Sequence, residues 1–217
     1  STNTLSSGEK FTQIDENDKI SSADESQVIG QTDNQEIISA DGNGTFAELE
    51  SEIRSGYNSH ITLGRDYEYE GSGYSKGISI TESITIDGKG HTIDAKGKVN
   101  IFDIRAENVI IKNITFINSK GTSDNAAIHW SNAQGSVSDC IFINNVATLG
   151  GAIFGEHSDC NISGCVFTRN SASFGGAIHW ASGQCDISDC IFKENAVHAA
   201  GGASASAGGA LFLVRGC

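Results

Sequence analysis

The residues best suited to bind or transform a ligand lie in two identical tetrapeptides, Ala127–Trp130 and Ala177–Trp180, which begin 50 residues apart. An exposed indole can stack on the apolar face of a sugar, and an exposed histidine can move a proton or bind a metal. Neighbouring residues of a strand face opposite sides. Only one of two columns can therefore point outward: Trp130, Gly155 and Trp180, or His129, Phe154 and His179.

Two orientations of these columns are open. If Trp130 and Trp180 face outward, they stand ~10 Å apart, and Gly155 leaves a gap between them that suits a sugar ring. If they face inward, the indoles are core residues and the exposed column is His129, Phe154 and His179. Because the two histidines are too far apart to share one ion, we predict no metal site and no cofactor.

The six cysteines all follow residue 139, at spacings of 20, 5, 20, 5 and 27 residues. Neither a Cys-x-x-Cys pair nor a histidine at zinc-finger distance is present, which argues against zinc. The cysteines alternate with Phe and Ile and are expected to point inward, as free buried thiols rather than disulfides. Disulfides between successive coils stay a second possibility, although Cys217 has no partner in a neighbouring coil. The six cysteines are Cys140, Cys160, Cys165, Cys185, Cys190 and Cys217.

Carboxylates are the third candidate for chemistry. Glycoside hydrolysis needs two of them about 5–10 Å apart on one face. Asp139 and Asp189 share a column, but Gly164 separates them by two coils, or ~10 Å. No group of acids converges with Arg or Lys, so we predict that the chain is not an enzyme. A polysaccharide lyase or hydrolase is the alternative.

The elements that position these residues come from an internal repeat. The pattern Cys-x-Phe-x-x-Asn occurs at Cys140–Asn145, Cys165–Asn170 and Cys190–Asn195, and Gly-Gly-Ala-Ile occurs at Gly150–Ile153 and Gly175–Ile178. Both patterns recur every 25 residues. A unit of this length cannot bury its own apolar face, whereas stacked units can. We therefore predict an all-β fold, a parallel β-helix of about six coils.

The repeat also predicts which side chains form ladders. Within each coil the Phe of the repeat is expected to stack inside, and the Asn to form an amide ladder at a corner. The inward column is Phe142, Phe167 and Phe192, and the corner column is Asn145, Asn170 and Asn195.

Three segments follow from these patterns: an acidic tail over 1–42, a capping helix and entry over 43–60, and the β-helix over 61–217. Phe46, Leu49 and Ile53 form one apolar helical stripe. Thr45 with Glu48 makes a capping box at the start of this helix, which is predicted to end near Gly56. The tail holds nine acidic residues and two lysines, so we expect it to be disordered, with edge strands at 27–29 or 36–38 as the alternative. Past residue 199 the repeat slips, and we expect the β-helix to continue beyond Cys217.

Charge narrows the range of partners. The formal net charge is -13, which disfavours nucleic-acid binding because phosphates need a basic face. No stretch reaches the ~18 apolar residues of a membrane span, and we expect a monomer. Three Asn-x-Ser/Thr triplets are acceptors for glycosylation if the chain is exported, at Asn43, Asn113 and Asn161.

The repeats carry a resemblance to known families. The Phe-x-x-Asn and Gly-Gly-Ala-Ile patterns resemble the repeat region of chlamydial polymorphic membrane proteins. The segments Thr45–Arg54, Ile84–Ile93 and Asn108–Phe116, together with Ile61–Leu63 and Tyr67–Tyr69, resemble the cap and first coils of adhesin-like surface proteins of methanogenic archaea. The likeness covers residues 44–217.

This resemblance implies a secreted, cell-surface, right-handed β-helix. Its implied role is attachment through a glycan or protein on the surface of another cell. A stalk without any ligand is a further alternative, because these families are named largely from their architecture.

Overall fold

The computed structural model describes residues 42–71, 73–120, 126–198 and 209–213. The chain forms a parallel β-solenoid of about six coils with about 25 residues per coil, which confirms the predicted fold class. The predictions for the acidic tail, for the slipped repeat after residue 199 and for Cys217 fall on residues outside these ranges, apart from Gly42 at the end of the tail and the short stretch 209–213.

Three parallel sheets run the length of the solenoid, and each coil adds one strand to each sheet. The first sheet contains β4 (Ile78–Ile80), β7 (Phe102–Ile104), β10 (Ile128–Ser131), β13 (Ile153–Glu156), β17 (Ile178–Trp180) and β21 (Leu211–Leu213). The second sheet contains β2 (His60–Thr62), β5 (Ile84–Asp87), β8 (Val109–Lys112), β11 (Gln134–Ser138), β14 (Asp159–Ser163) and β18 (Cys185–Ser188).

The third sheet has one more strand than the other two. Its members are β1 (Gly44–Thr45), β3 (Tyr67–Glu68), β6 (Thr92–Asp94), β9 (Thr115–Ile117), β12 (Ile141–Ile143), β15 (Val166–Thr168) and β19 (Ile191–Lys193). A short pair formed by β16 (Ser171–Ala172) and β20 (Ala196–Val197) follows the third sheet in the last coils.

A ladder of phenylalanines fills the inside of the third sheet. Strand pairing sets Phe142 opposite Phe116 and Phe167, and successive rings stack with centroids 5.0 Å, 4.9 Å and 4.9 Å apart from Phe116 to Phe192. The rise of ~4.8 Å between coils is close to the distance between successive ring centroids. Identical residues in register therefore bury one another. The predicted inward column is confirmed.

The corner after the third sheet holds the predicted amide ladder. Asn145 and Asn170 are fully buried. The Nδ2 group of Asn145 donates to Oδ1 of Asn170 at 3.0 Å, and that of Asn170 donates to Oδ1 of Asn195 at 3.0 Å. Each amide thereby satisfies backbone and side-chain groups that the turn would leave unpaired.

The Gly-Gly-Ala-Ile motif follows from close backbone approach between coils. Gly150 has φ +55°, and a Cβ there would collide with the carbonyl of Ile153. A Cβ on Gly151 would collide with the carbonyl of Gly176 in the next coil. Only glycine fits both positions.

The entry to the solenoid is closed by the helix α1 (Phe46–Ser55). Both hydrogen bonds of the capping box between Thr45 and Glu48 are present, and Gly56 ends the helix. Phe46, Leu49 and Ile53 are fully buried, so the predicted stripe covers the open end of the core.

Candidate functional surfaces

The two tryptophans point into the core of the first sheet. Trp130 is 0% exposed and Trp180 is 1% exposed, and Nε1 of Trp180 donates to the carbonyl of Ser158 at 3.1 Å. The space at Gly155 is occupied by the indole of Trp180, which a Cβ there would strike. The hypothesis of a sugar held between outward indoles is therefore wrong, because neither ring reaches solvent.

The other column faces away from the core but is not open either. His129, Phe154 and His179 are all buried, so the alternative expectation of an exposed column is also wrong. The rings of His129 and Phe154 stack at 5.1 Å, and His179 packs between Phe154 and Phe212 at 5.4 Å and 4.9 Å. Phe174, on the connection from the third sheet, adds a further ring 6.3 Å from His179.

A polar cluster that the sequence analysis missed begins where this column meets Asp103. Nδ1 of His129 lies 3.0 Å from Oδ1 of Asp103, and Nε2 lies 3.4 Å from Oε1 of Glu156. Arg105 donates from Nε to Oδ2 of Asp103 at 2.9 Å, and Ser131 donates to Glu156 at 3.0 Å. The available signal was the position of Asp103, which pairs in register with His129 one coil away.

This cluster stabilises the ionised form of Asp103. Burial by itself would raise the pKa of Asp103, but hydrogen bonds from His129 and Arg105 outweigh burial, and the pKa lies below its ordinary value. The cluster therefore ties three successive coils together on the covered side of the first sheet.

His179 should make the fold sensitive to mild acid. Burial lowers the pKa of His179, and its Nδ1 is buried with no hydrogen-bond partner among the described residues. The unfolded chain then binds the proton more readily, so stability is complete above the unfolded pKa of ~6.5 and falls as the pH drops below it. We expect the urea midpoint to fall between pH 7 and pH 5, and to fall less in His179→Phe.

The matched control for this prediction is His60→Phe, since His60 is exposed on β2. Its pH dependence should equal that of the parent. Identical pH profiles for His179→Phe and the parent would contradict the prediction.

The described cysteines are free thiols that point inward. Cys140, Cys160 and Cys165 are buried, while Cys185 and Cys190 are half-buried. Burial raises the pKa of Cys160 well above its ordinary value and that of Cys185 to about 12. These two thiols stay protonated at neutral pH and are poor nucleophiles.

The acidic corner residues do not form a carboxylate pair. Asp139 and Asp189 both adopt left-handed turn conformations, with φ 52°. Gly164 between them leaves room for the Asp139 side chain, whose Oδ1 lies 2.6 Å from where a Cβ would stand. Asp139 also lines an open pocket of about 370 Å³ with Lys89 and Ile141, and of the described residues that line it only Asp139 is a carboxylate.

The glycosylation candidates differ in how open their amides are. Asn43 and Asn161 are exposed, although Nδ2 of Asn43 lies 3.2 Å from Glu68. Asn113 is half-buried and donates from Nδ2 to Asp87 at 2.9 Å. Of the three, Asn161 on the outer side of β14 is the one without a side-chain hydrogen bond to a described residue.

The outer side of the third sheet carries partly exposed apolar side chains: Ile141 is exposed, and Ile117, Ile143 and Val166 are half-buried. The three central coils present only β-branched side chains there, in two rows on either side of the inward Phe column. We call this surface the β-branched strip; it consists of Thr115, Ile117, Ile141, Ile143, Val166 and Thr168. By contrast the second sheet presents mostly polar side chains, such as Ser136, Asn161 and Asp186, with Ile110 as its one exposed large apolar residue.

Neither a metal centre nor a membrane-crossing helix is found in the described part of the chain. Within residues 42–71, 73–120, 126–198 and 209–213, no three His, Cys, Asp or Glu side chains are grouped to hold an ion. Over the same ranges no helix has the length and apolar character that crossing a membrane requires.

Two protein families match parts of the chain. The sequence profile of a pectate lyase-like adhesive domain matches residues 44–154, from the cap helix to β13. The profile of the Chlamydia polymorphic membrane protein repeat matches residues 164–179. No curated protein and no solved structure matches the chain. The first match covers just over half of the sequence, and both families fit an adhesin-like repeat protein.

Proposed function

Starting from the fact that the chain belongs to the pectate lyase-like adhesive domain family, we propose that it is an adhesive module of a cell surface. It attaches to a glycan or protein of another surface without catalysing a reaction. The resemblance of its N-terminal half to surface proteins of methanogenic archaea supports this location, as does the match to a membrane protein repeat.

The observation that carries the proposal is the β-branched strip. Ile141 is 39% exposed at its centre, and the six residues of the strip include no charge. Exposed apolar patches with polar rims mark interaction sites more often than bare structural surfaces do. The outer columns of the first sheet are covered and the second sheet is polar, so the third sheet is the face that best suits a contact.

The solenoid suits this task because it presents the contact residues without flexibility. The three strands that carry the strip, β9, β12 and β15, are each bonded to a strand in the coil before and in the coil after. The side chains of the strip therefore keep fixed spacings of ~4.8 Å along the axis. A surface that is already ordered loses little conformational entropy when it binds. Many copies on one cell would further strengthen weak individual contacts.

The test compares two substitutions of equal chemistry and equal exposure. Ile141→Asp places a charge on the strip, whereas Ile110→Asp places the same charge on the second sheet, and both isoleucines are 39% exposed. Beads coated with the chain are passed under flow over arrayed neutral and acidic glycans and over immobilised proteins. We expect Ile141→Asp to reduce retention at least about tenfold, since desolvating an unpaired charge is costly, and Ile110→Asp to leave it unchanged.

Two results would contradict the proposal. The parent chain could bind none of the arrayed glycans and proteins, which would favour a stalk without a ligand. Alternatively, both variants could retain the parent's binding, which would place the contact on a different surface. Melting curves of the variants establish that any loss is not unfolding.

A further inference from the structure

We propose that the β-branched strip also pairs with the same strip of a second copy of this chain, with the two solenoids antiparallel. The two-fold axis would run along strand β12. This inference rests on the proposed role of the strip as a contact surface and narrows it by naming one partner. The charges at the two ends of the strip point to a second copy.

The coil that precedes the strip presents the charges plus, minus, plus. Lys89 lies at the corner before β6, Asp94 at the outward end of β6, and Lys96 at the corner after it. Lys89 contacts Asp87 of its own chain at 3.2 Å, and Lys96 contacts Glu68 at 2.7 Å and Asp94 at 3.3 Å. The two lysine side chains are nonetheless 60% and 44% exposed, whereas that of Asp94 is 18% exposed. A second chain therefore reaches the lysines more readily than Asp94.

The coil that follows the strip presents the opposite order, minus, plus, minus. Asp189 lies at the corner before β19, Lys193 at its outward end, and Glu194 at the corner after it. All three are exposed. Among the described residues their one ion pair is a long contact of 3.9 Å between Glu194 and Arg169.

A two-fold axis along β12 brings these two coils together. Rotation about that axis keeps each residue's position along the strand direction and exchanges the coils on either side of β12. In the third sheet β6 lies two coils before β12, and β19 lies two coils after it. Lys89 of one copy would then face Asp189 of the other, Asp94 would face Lys193, and Lys96 would face Glu194, at both ends of the interface.

The other face-to-face two-fold, along the solenoid axis, gives the reverse result. It exchanges the two corners of each coil, so Lys89 would meet Lys96 and Asp189 would meet Glu194. Like charges placed against one another disfavour that register. The charge order therefore selects the antiparallel arrangement.

Between the charged ends the strip would pack against itself, β9 on β15 and β12 on its own copy. Facing sheets approach to ~10 Å, which the short β-branched side chains permit. The one unfavourable pair is Asp139 with its own copy at the exposed corner before β12. Water and salt screen that contact, while three opposite-charge pairs oppose it at each end.

The interface is small, so the pairing would be weak. Five coils at ~4.8 Å and one strand with its corners cover roughly 400 Å² per copy, about half of a standard stable interface. We expect a dissociation constant in the high-micromolar range. Many copies on one surface would raise the effective concentration and so favour pairing. This state differs from the monomer that the sequence alone leads us to expect.

Sedimentation equilibrium of the full chain between about 10 and 500 µM tests the pairing. The apparent mass should rise towards that of a dimer, and less so in high salt. The variant D189K/E194K should associate at least about tenfold more weakly, because both substituted positions would face lysines. The variant K89E/K96E should also stay monomeric, and an equal mixture of the two variants should recover the dimer.

The control is E107K/D186K, which changes the net charge equally at exposed positions away from the strip and should dimerise like the parent. A parent that stays monomeric throughout, or a D189K/E194K variant that dimerises like it, would overturn the inference. Should K89E/K96E fail to fold, D189K/E194K and the salt dependence still decide. Retention of the parent under flow with loss in Ile141→Asp would keep the proposed function even if self-pairing fails.

Discussion

Replacing Phe167 by alanine should lower the free energy of unfolding by about 3–5 kcal/mol. The ring is fully buried and stacks at 4.9 Å on Phe142 and on Phe192. In a solenoid each coil contacts only its neighbours, so no distant part of the chain can move in to fill the cavity. The loss therefore includes both the transfer of the ring and the space that it leaves.

Urea unfolding followed by circular dichroism measures this effect. Thr168→Ala is the matched control, because Thr168 is the next residue of β15 and faces outward; it should cost less than about 1 kcal/mol. A loss below about 1 kcal/mol for Phe167→Ala would be incompatible with a ring packed between two others.

The second large effect is expected from the amide ladder. In Asn170→Leu, Oδ1 no longer accepts from the backbone N–H and Nδ2 of Asn145, both at 3.0 Å. Nδ2 also no longer donates to the carbonyl of Phe142 and to Asn195, again at 3.0 Å. Each buried polar group left unpaired costs about 1–3 kcal/mol, so we expect a total loss of at least about 3 kcal/mol.

The same unfolding experiment is done beside Asn161→Leu, which makes the identical change at an exposed position of β14. That control should shift stability by less than about 1 kcal/mol. Equal losses in the two variants would mean that the buried amides contribute no more than surface ones, against the ladder interpretation.

Both of these residues could be selected from the sequence. A period of 25 residues that recurs in Phe, Asn, Cys and Gly means that equivalent residues stack, whatever the details of the coil. The cap helix was equally predictable, because a capping box and an apolar stripe depend only on local spacing. The repeat period also gave the number of coils and the inward direction of the described cysteines, both of which the structure shows.

For the first sheet the sequence could not tell which side of a strand meets solvent. In the first sheet both columns are aromatic or apolar, Trp130 and Trp180 in one and His129, Phe154 and His179 in the other. The usual alternation of apolar and polar residues is missing, and connections that carry Phe174 cover the outer column. None of these candidate binding residues therefore reaches solvent.

The third sheet shows the complementary case. The repeat places Phe142 inward, and strand alternation then places Ile141 and Ile143 outward. The sequence does not say whether a connection covers them, as one does on the first sheet. In the structure Ile141 is 39% exposed and Ile143 is half-buried. Periodicity determined the stack, since it is a property of spacing along the chain. The accessible surface was decided by the tertiary structure, because exposure depends on which connections fold over which sheet.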